Sequence, residues 1–269
     1  MFEKVWYQWL GRPYRLAIGA DTKAGGQPVV LLHGLGSSSQ AWQHVLEELR
    51  PLPYRVVSFD LLGFGASPKP EWLKYTTDDH ARMVIAALRA SRLRGPVVLV
   101  GHSMGCLVAA RVARLRPDLV KHLVLYEMPL YAGLPEKRRY RLRLNLYFKL
   151  YEQIIAYRPI FSGPGVGRAQ RLAERLYGLH FTDRSWKPFV KSLKHTIMEQ
   201  TAADDIKHIK VPIDVIYGTR DRLVIRGKTK ALFGEDTVNI TAHTVRASHK
   251  ITKRASQFLV SRIQAAIDG

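Results

Sequence analysis

The residues with the clearest chemistry are GHSMG at 101–105, which fit the spacing G-x-S-x-G. They follow the apolar run PVVLV (96–100) and precede an apolar pattern of helical period. A serine on such a sharp strand-to-helix turn is held at the mouth of a sheet, where a neighbouring base can make its hydroxyl a nucleophile toward an acyl carbon. The glycines are needed because the turn is strained and a side chain two positions from the serine would block the close approach of helix and strand. The plainer role for Ser103, capping the helix that begins at Met104, leaves the flanking glycines unexplained.

A serine placed in this way needs a sheet to hold it, and the rest of the chain supplies one. Short apolar blocks read as buried parallel strands: PVVLLHG (28–34), YRVVSFD (54–60), PVVLVGH (96–102), KHLVLYE (121–127), VPIDVIYG (211–218) and VNITAHTV (238–245). Two further strands are expected near the start, around 5–9 and 14–18. Amphipathic stretches at about 39–49, 77–91, 104–115, 223–233 and 252–267 read as helices between the strands. This alternation predicts an α/β fold with a mostly parallel, eight-stranded sheet covered by helices on both faces. It breaks over 128–200, where three helical patterns and no strand are found. The reading is a core of 1–127 and 201–269 with a helical cap inserted at 128–200.

In these features the chain resembles the α/β-hydrolase family, and the resemblance covers nearly the whole sequence outside the cap. HGLGSS (33–38) is similar to the loop after the family's third strand. That match implies an oxyanion hole made by the backbone N–H groups of Leu35 and Met104. FDLLGFGAS (59–67) is similar to the segment after the fourth strand, in which Asp60 braces a loop. The family order of nucleophile, acid and histidine implies Asp221, in YGTRDRLV (217–224), as the acid. Glu127 is a rival, since some members draw their acid from the end of the preceding strand. The same order implies His249, in RASHKITKRASQF (246–258), as the base. His33 and His102 match non-catalytic positions of their motifs, and His243 is expected within a strand. Where family members often carry an acid and a proline after the histidine, this chain has Lys250, Lys253 and Arg254.

The resemblance implies a serine hydrolase cleaving carboxylic esters or thioesters through an acyl-enzyme, with Ser103, His249 and Asp221 as its triad. Carbon–carbon bond hydrolases, perhydrolases and non-catalytic binding members share the fold and stay open as alternatives. No cofactor and no metal is called for: no H-E-x-x-H spacing occurs, and the glycines of GPGVG (163–167) follow a helical pattern rather than a strand.

Composition agrees with a globular chain, at 46% hydrophobic and 24% charged residues. No apolar run is long enough to span a bilayer, no signal peptide is legible, and Cys106 is the only cysteine, so a soluble cytoplasmic protein is expected. The net charge of +20 is the unusual property. It is densest in the cap, which holds 14 Lys and Arg against 5 Asp and Glu, or +9 of the +20 in 73 residues. Arg138, Arg139, Arg141 and Arg143 interleave with Tyr140, Leu142, Leu144 and Tyr147. A cap of this kind fits a substrate presented by an anionic membrane surface or an acidic acyl carrier. Nucleic acid is not an expected partner, because no recognition motif accompanies the charge.

Overall fold

A computed structural model describes residues 5, 7, 9, 11–130, 149, 152, 156, 182–221, 224 and 239–269. Among these residues seven strands form one sheet in the order β1-β3-β2-β4-β5-β6-β7. They are β1 (Ile18–Asp21), β2 (Pro28–Leu32), β3 (Arg55–Phe59), β4 (Val97–His102), β5 (Val120–Tyr126), β6 (Ile213–Gly218) and β7 (Ile240–Val245). All neighbours are parallel except β1, which runs antiparallel along β3.

The helices are α1 (Gln43–Leu49), entered through a 3-10 turn at Ser39–Trp42, α2 (Thr77–Ala90), α3 (Met104–Leu115), α4 (Asp183–Ser192), α5 (Ala202–Lys207) and α6 (Lys253–Asp268). Thr76 starts α2 with a capping box: its side chain accepts from the Asp79 N–H while the Asp79 carboxylate accepts from the Thr76 N–H.

Strand residues alternate between two apolar layers, as the two-residue period of a strand requires. Val30, Leu32 and Leu99 face α2 and α3, packing with Val84, Leu107 and Val108. Val29, Leu31, Val98 and Val100 face α1 and α6, packing with Val45, Leu49, Leu259 and Ile263. Burial on both sides is why β2 and β4 read as unbroken apolar runs. The edge strand β7 holds only exposed and half-buried positions instead.

Two expectations for the start of the chain are corrected. The strand around 5–9 is a helical turn, with the Trp9 N–H donating to the Val5 carbonyl at 2.8 Å. Tyr7 is its inward residue, stacked on Tyr14 at 5.5 Å and edge-on to Trp72 at 5.1 Å. The strand expected at 14–18 begins only at Ile18. The described sheet therefore has seven strands, not eight. The helix expected at 223–233, and most of the cap, lie outside the described residues. The described end of the 128–200 segment, expected to form the cap, holds α4, continued by a π-helical turn at Leu193–Met198. It is anchored on the core by His80 Nε2 to Ser192 Oγ at 3.1 Å and by the Thr196 hydroxyl donating to the Tyr75 carbonyl at 2.8 Å.

Candidate active site

Ser103 stands between the last residue of β4 and the first of α3, with φ 51° and ψ −120°. A non-glycine residue there carries on the order of 1–3 kcal/mol of backbone strain. The fold supplies the constraint, since the Ser103 N–H extends the ladder by donating to the Tyr126 carbonyl at 2.9 Å. The flanking glycines are required by contact. A Cβ on Gly105 would lie 2.3 Å from the Leu32 carbonyl oxygen, and one on Gly101 would lie 2.7 Å from the Cys106 backbone. The elbow thus lets α3 start directly against the end of β2.

Ser103, His249 and Asp221 form one hydrogen-bonded chain. His249 Nδ1 lies 2.7 Å from Asp221 Oδ2, and its Nε2 lies 3.1 Å from Ser103 Oγ. A carboxylate only accepts, so Nδ1 carries the proton there and Nε2 is left to accept from the Ser103 hydroxyl. All three residues are buried, at 9%, 8% and 3% exposure, which limits competition from water. Asp221 and His249 come from adjacent connections laced together: the Arg220 N–H donates to the Ala247 carbonyl at 2.9 Å, and the Thr219 N–H to the Val245 carbonyl at 2.7 Å.

Glu127, the rival acid, ends β5 at φ 54° and is fully buried. Its Oε1 accepts from the Gly218 N–H at 2.5 Å. Glu127, Asp221 and His249 form a group whose donor atoms lie within 4.8 Å of one another. A metal ion held there would compete with the Asp221–His249 bond, since Nδ1 is the imidazole atom facing the carboxylates.

Leu35 is buried in the loop after β2, and Met104 is the first residue of α3. The loop runs against Ser103, with a Cβ on Gly34 lying only 3.1 Å from Ser103 Cβ. Asp60 braces its loops: its carboxylate accepts from the N–H groups of Ser39 at 2.7 Å and Ala66 at 2.8 Å. Burial works to raise its pKa, and these donors outweigh burial and hold it below the ordinary value. His33 Nε2 accepts from the Leu61 N–H at 2.9 Å, and burial takes its pKa down to about 4. His243 lies in β7, 2.7 Å from Asp214.

Two residues beneath the site have a bracing role beyond the sequence reading, in which His102 is only a non-catalytic member of its motif and Tyr126 is not singled out. His102, its pKa brought down to about 3 chiefly by burial, donates from Nε2 to the His249 carbonyl at 2.8 Å. Tyr126, stacked on His102 at 5.6 Å, donates its hydroxyl to the Ser248 carbonyl at 2.7 Å. Together they tie the His249 loop to the ends of β4 and β5. The GH pair before Ser103 carried a signal for His102; nothing local marks Tyr126, whose partner lies 122 positions away.

The comparisons with known proteins agree with this architecture. Residues 27–246 match the family model described as alpha/beta hydrolase fold. The chain is 39% identical over 103 residues to a 2-hydroxy-6-oxo-6-(2'-aminophenyl)hexa-2,4-dienoic acid hydrolase of Metapseudomonas resinovorans, a match spanning 37% of this chain and 35% of that protein. It is 26% identical over 239 residues to Lipase 3 of Moraxella sp. (strain TA144), spanning 82% of this chain and 70% of the lipase. The chain thus spans about a third of the first of these relatives. Among solved structures, a serine hydrolase involved in carbazole degradation superposes with a TM-score of 0.68 at 21% identity, covering 95% of this chain and 99% of that one. With the family model matched over most of its length, an elbow serine at the sheet mouth and the strand order just described, this chain belongs to the alpha/beta hydrolase fold family.

Proposed function

We propose that the protein is a serine hydrolase that cleaves carboxylic esters or thioesters through an acyl-enzyme. The observation that carries this reading is the continuous chain from Ser103 Oγ through His249 to Asp221, at 3.1 and 2.7 Å, on a strained elbow. The Ser103 oxygen attacks the carbonyl carbon while its proton passes to His249 Nε2; Asp221 holds the tautomer and supports the imidazolium. The N–H groups of Leu35 and Met104 receive the developing oxyanion. The imidazolium then protonates the leaving alkoxide or thiolate. Water, deprotonated in turn by Nε2, releases the acid and restores the serine.

Residues 128–200 serve as the cap over this site, with the core in 1–127 and 201–269. Its basic, aromatic-rich 137–148 stretch favours an acyl substrate presented by an acidic carrier or an anionic surface. Cleavage of a carbon–carbon bond next to a ketone is the second reading, supported by the 39% identity over 103 residues to the hydrolase of a 2-hydroxy-6-oxo dienoic acid. The test is hydrolysis of p-nitrophenyl esters and acyl thioesters of increasing chain length, beside a 6-oxo dienoic acid. Turnover of the esters that is lost in Ser103→Ala supports the reading, and turnover of the dienoic acid alone replaces it with the second.

A further inference from the structure

Far along the chain from the triad, the described surface has an unusual concentration of exposed apolar side chains. Val5 is 48% exposed, Trp9 86% and Ile18 52%; of the four large exposed hydrophobic residues in the described part of the molecule, these three lie within fourteen positions. The helical turn explains the outward pair. Tyr7 points inward onto Tyr14 and Trp72, and Val5 and Trp9, one turn apart, share the opposite side. Behind this turn, a groove of about 740 Å³ runs between the 12–18 segment and the end of α2. Its floor is apolar, formed by Leu16, Phe59, Ala87 and Ala90, and Ile18 stands at its edge. A second groove of about 330 Å³ joins it, sharing Pro13 and Ala86.

The charged residues that line these grooves are all cationic, and an acid, Asp79, lies near Tyr7. Arg12 and Arg15 line the first, Arg82 and Arg89 the second, and neither lining holds an aspartate or glutamate. An exposed indole three positions before Arg12, on a turn whose Tyr7 lines the second groove, beside grooves lined by apolar side chains and guanidinium groups, matches the layered chemistry of a membrane interface, where acyl chains lie beneath phosphate groups.

We propose that this face docks on an anionic phospholipid bilayer, with Trp9, Val5 and Ile18 entering the headgroup region and Arg12, Arg15, Arg82 and Arg89 contacting lipid phosphates. The face is joined to the cap anchor. Trp72, which packs on Tyr7, lies between Glu71, paired with Lys187 of α4 at 2.6 Å, and Leu73, whose carbonyl accepts from Lys191 at 2.8 Å. Docking there would hold the described end of the cap close to the lipid surface.

The experiment is co-sedimentation with vesicles of pure phosphatidylcholine and with vesicles containing a quarter phosphatidylglycerol, from low to high salt. The wild type should bind the anionic vesicles and release as salt rises. Trp9→Ala should weaken binding on the order of tenfold. Arg12→Gln with Arg15→Gln should weaken it about thirtyfold and flatten the salt dependence. All three side chains are at the surface, so circular dichroism and thermal melting should match the wild type, and p-nitrophenyl ester hydrolysis in the absence of vesicles should be unchanged. Equal binding to both vesicle types, no binding, or binding insensitive to these variants overturns the proposal. So does binding lost only when Arg138, Arg139, Arg141 and Arg143 become glutamine, which moves the contact to the cap.

Discussion

Ser103 holds a backbone conformation that its own chemistry disfavours, and a side chain at φ 51° persists only because the ends of β4, β5 and α3 leave no other path. Replacing it by alanine should keep the turn and remove the proposed nucleophile. Ester hydrolysis should fall by on the order of 10³- to 10⁶-fold with the melting temperature unchanged, and His249→Ala should cost a similar amount without adding to it in the double variant. The two acids separate by geometry. Asp221 touches the imidazole at 2.7 Å, whereas the Glu127 contact at that end is with the Gly218 N–H. Asp221→Asn should therefore lower kcat by about 10⁴-fold through loss of the correct tautomer. Glu127→Gln should act mainly on stability, read by thermal melting beside steady-state kinetics; a larger kcat loss in the glutamine variant would exchange their roles. The strained turn at Ser103 was legible because GHSMG is a local pattern with a steric cause. The choice between Asp221 and Glu127 was not, because both follow strand ends that are neighbours in the sheet but 94 positions apart in the chain, and only the turn geometry brings one of them to Nδ1.

At the scale of elements, the elbow depends on how closely α3 meets β2. Gly105→Ala would press a methyl carbon to 2.3 Å from the Leu32 carbonyl oxygen, so β2 or α3 must shift. The expected cost is about 1–3 kcal/mol or more, measured by urea denaturation, together with slowed reaction of Ser103. The His249 loop is held from below by the Tyr126 hydroxyl and the His102 imidazole. Tyr126→Phe should lose about 1 kcal/mol of stability and lower kcat more than it changes KM, because the loop that carries the base loosens. An unchanged kcat would mean that the loop is fixed without this bond. Buried parallel strands and their helices were readable from apolar runs and helical periods, and α3 begins and ends where the pattern placed it, at Met104–Leu115. The first turn was misread because Val5, Tyr7 and Trp9 alternate like a strand, while the inward packing of Tyr7 depends on Trp72, 65 positions later. No helix among the described residues is long and apolar enough to cross a membrane.

For the whole molecule, three buried histidines among the described residues shape its response to acid. His33, His80 and His102 have pKa values brought down to about 4, 3 and 3, in each case chiefly by burial, so the folded state keeps them neutral. The unfolded chain takes up these protons near pH 6.5, the folded chain only below about 4. Their contribution to stability is therefore present above pH 6.5 and lost as the pH falls toward 4, with a limiting slope of about 4 kcal/mol per pH unit for three protons. Urea midpoints from pH 7 to pH 4.5 should fall steadily, and a flat profile would show that the imidazoles are not held neutral. In the proposed mechanism, the same burial keeps His33 and His102 from rivalling His249 as a base. The claim that one serine, one histidine and one aspartate act as a unit is tested most directly by mass spectrometry after reaction with a fluorophosphonate. The account predicts a single adduct on the peptide carrying Ser103, formed quickly in the wild type, orders of magnitude more slowly in His249→Ala, and absent in Ser103→Ala. An adduct on another residue, or labelling at full rate without His249, would contradict it.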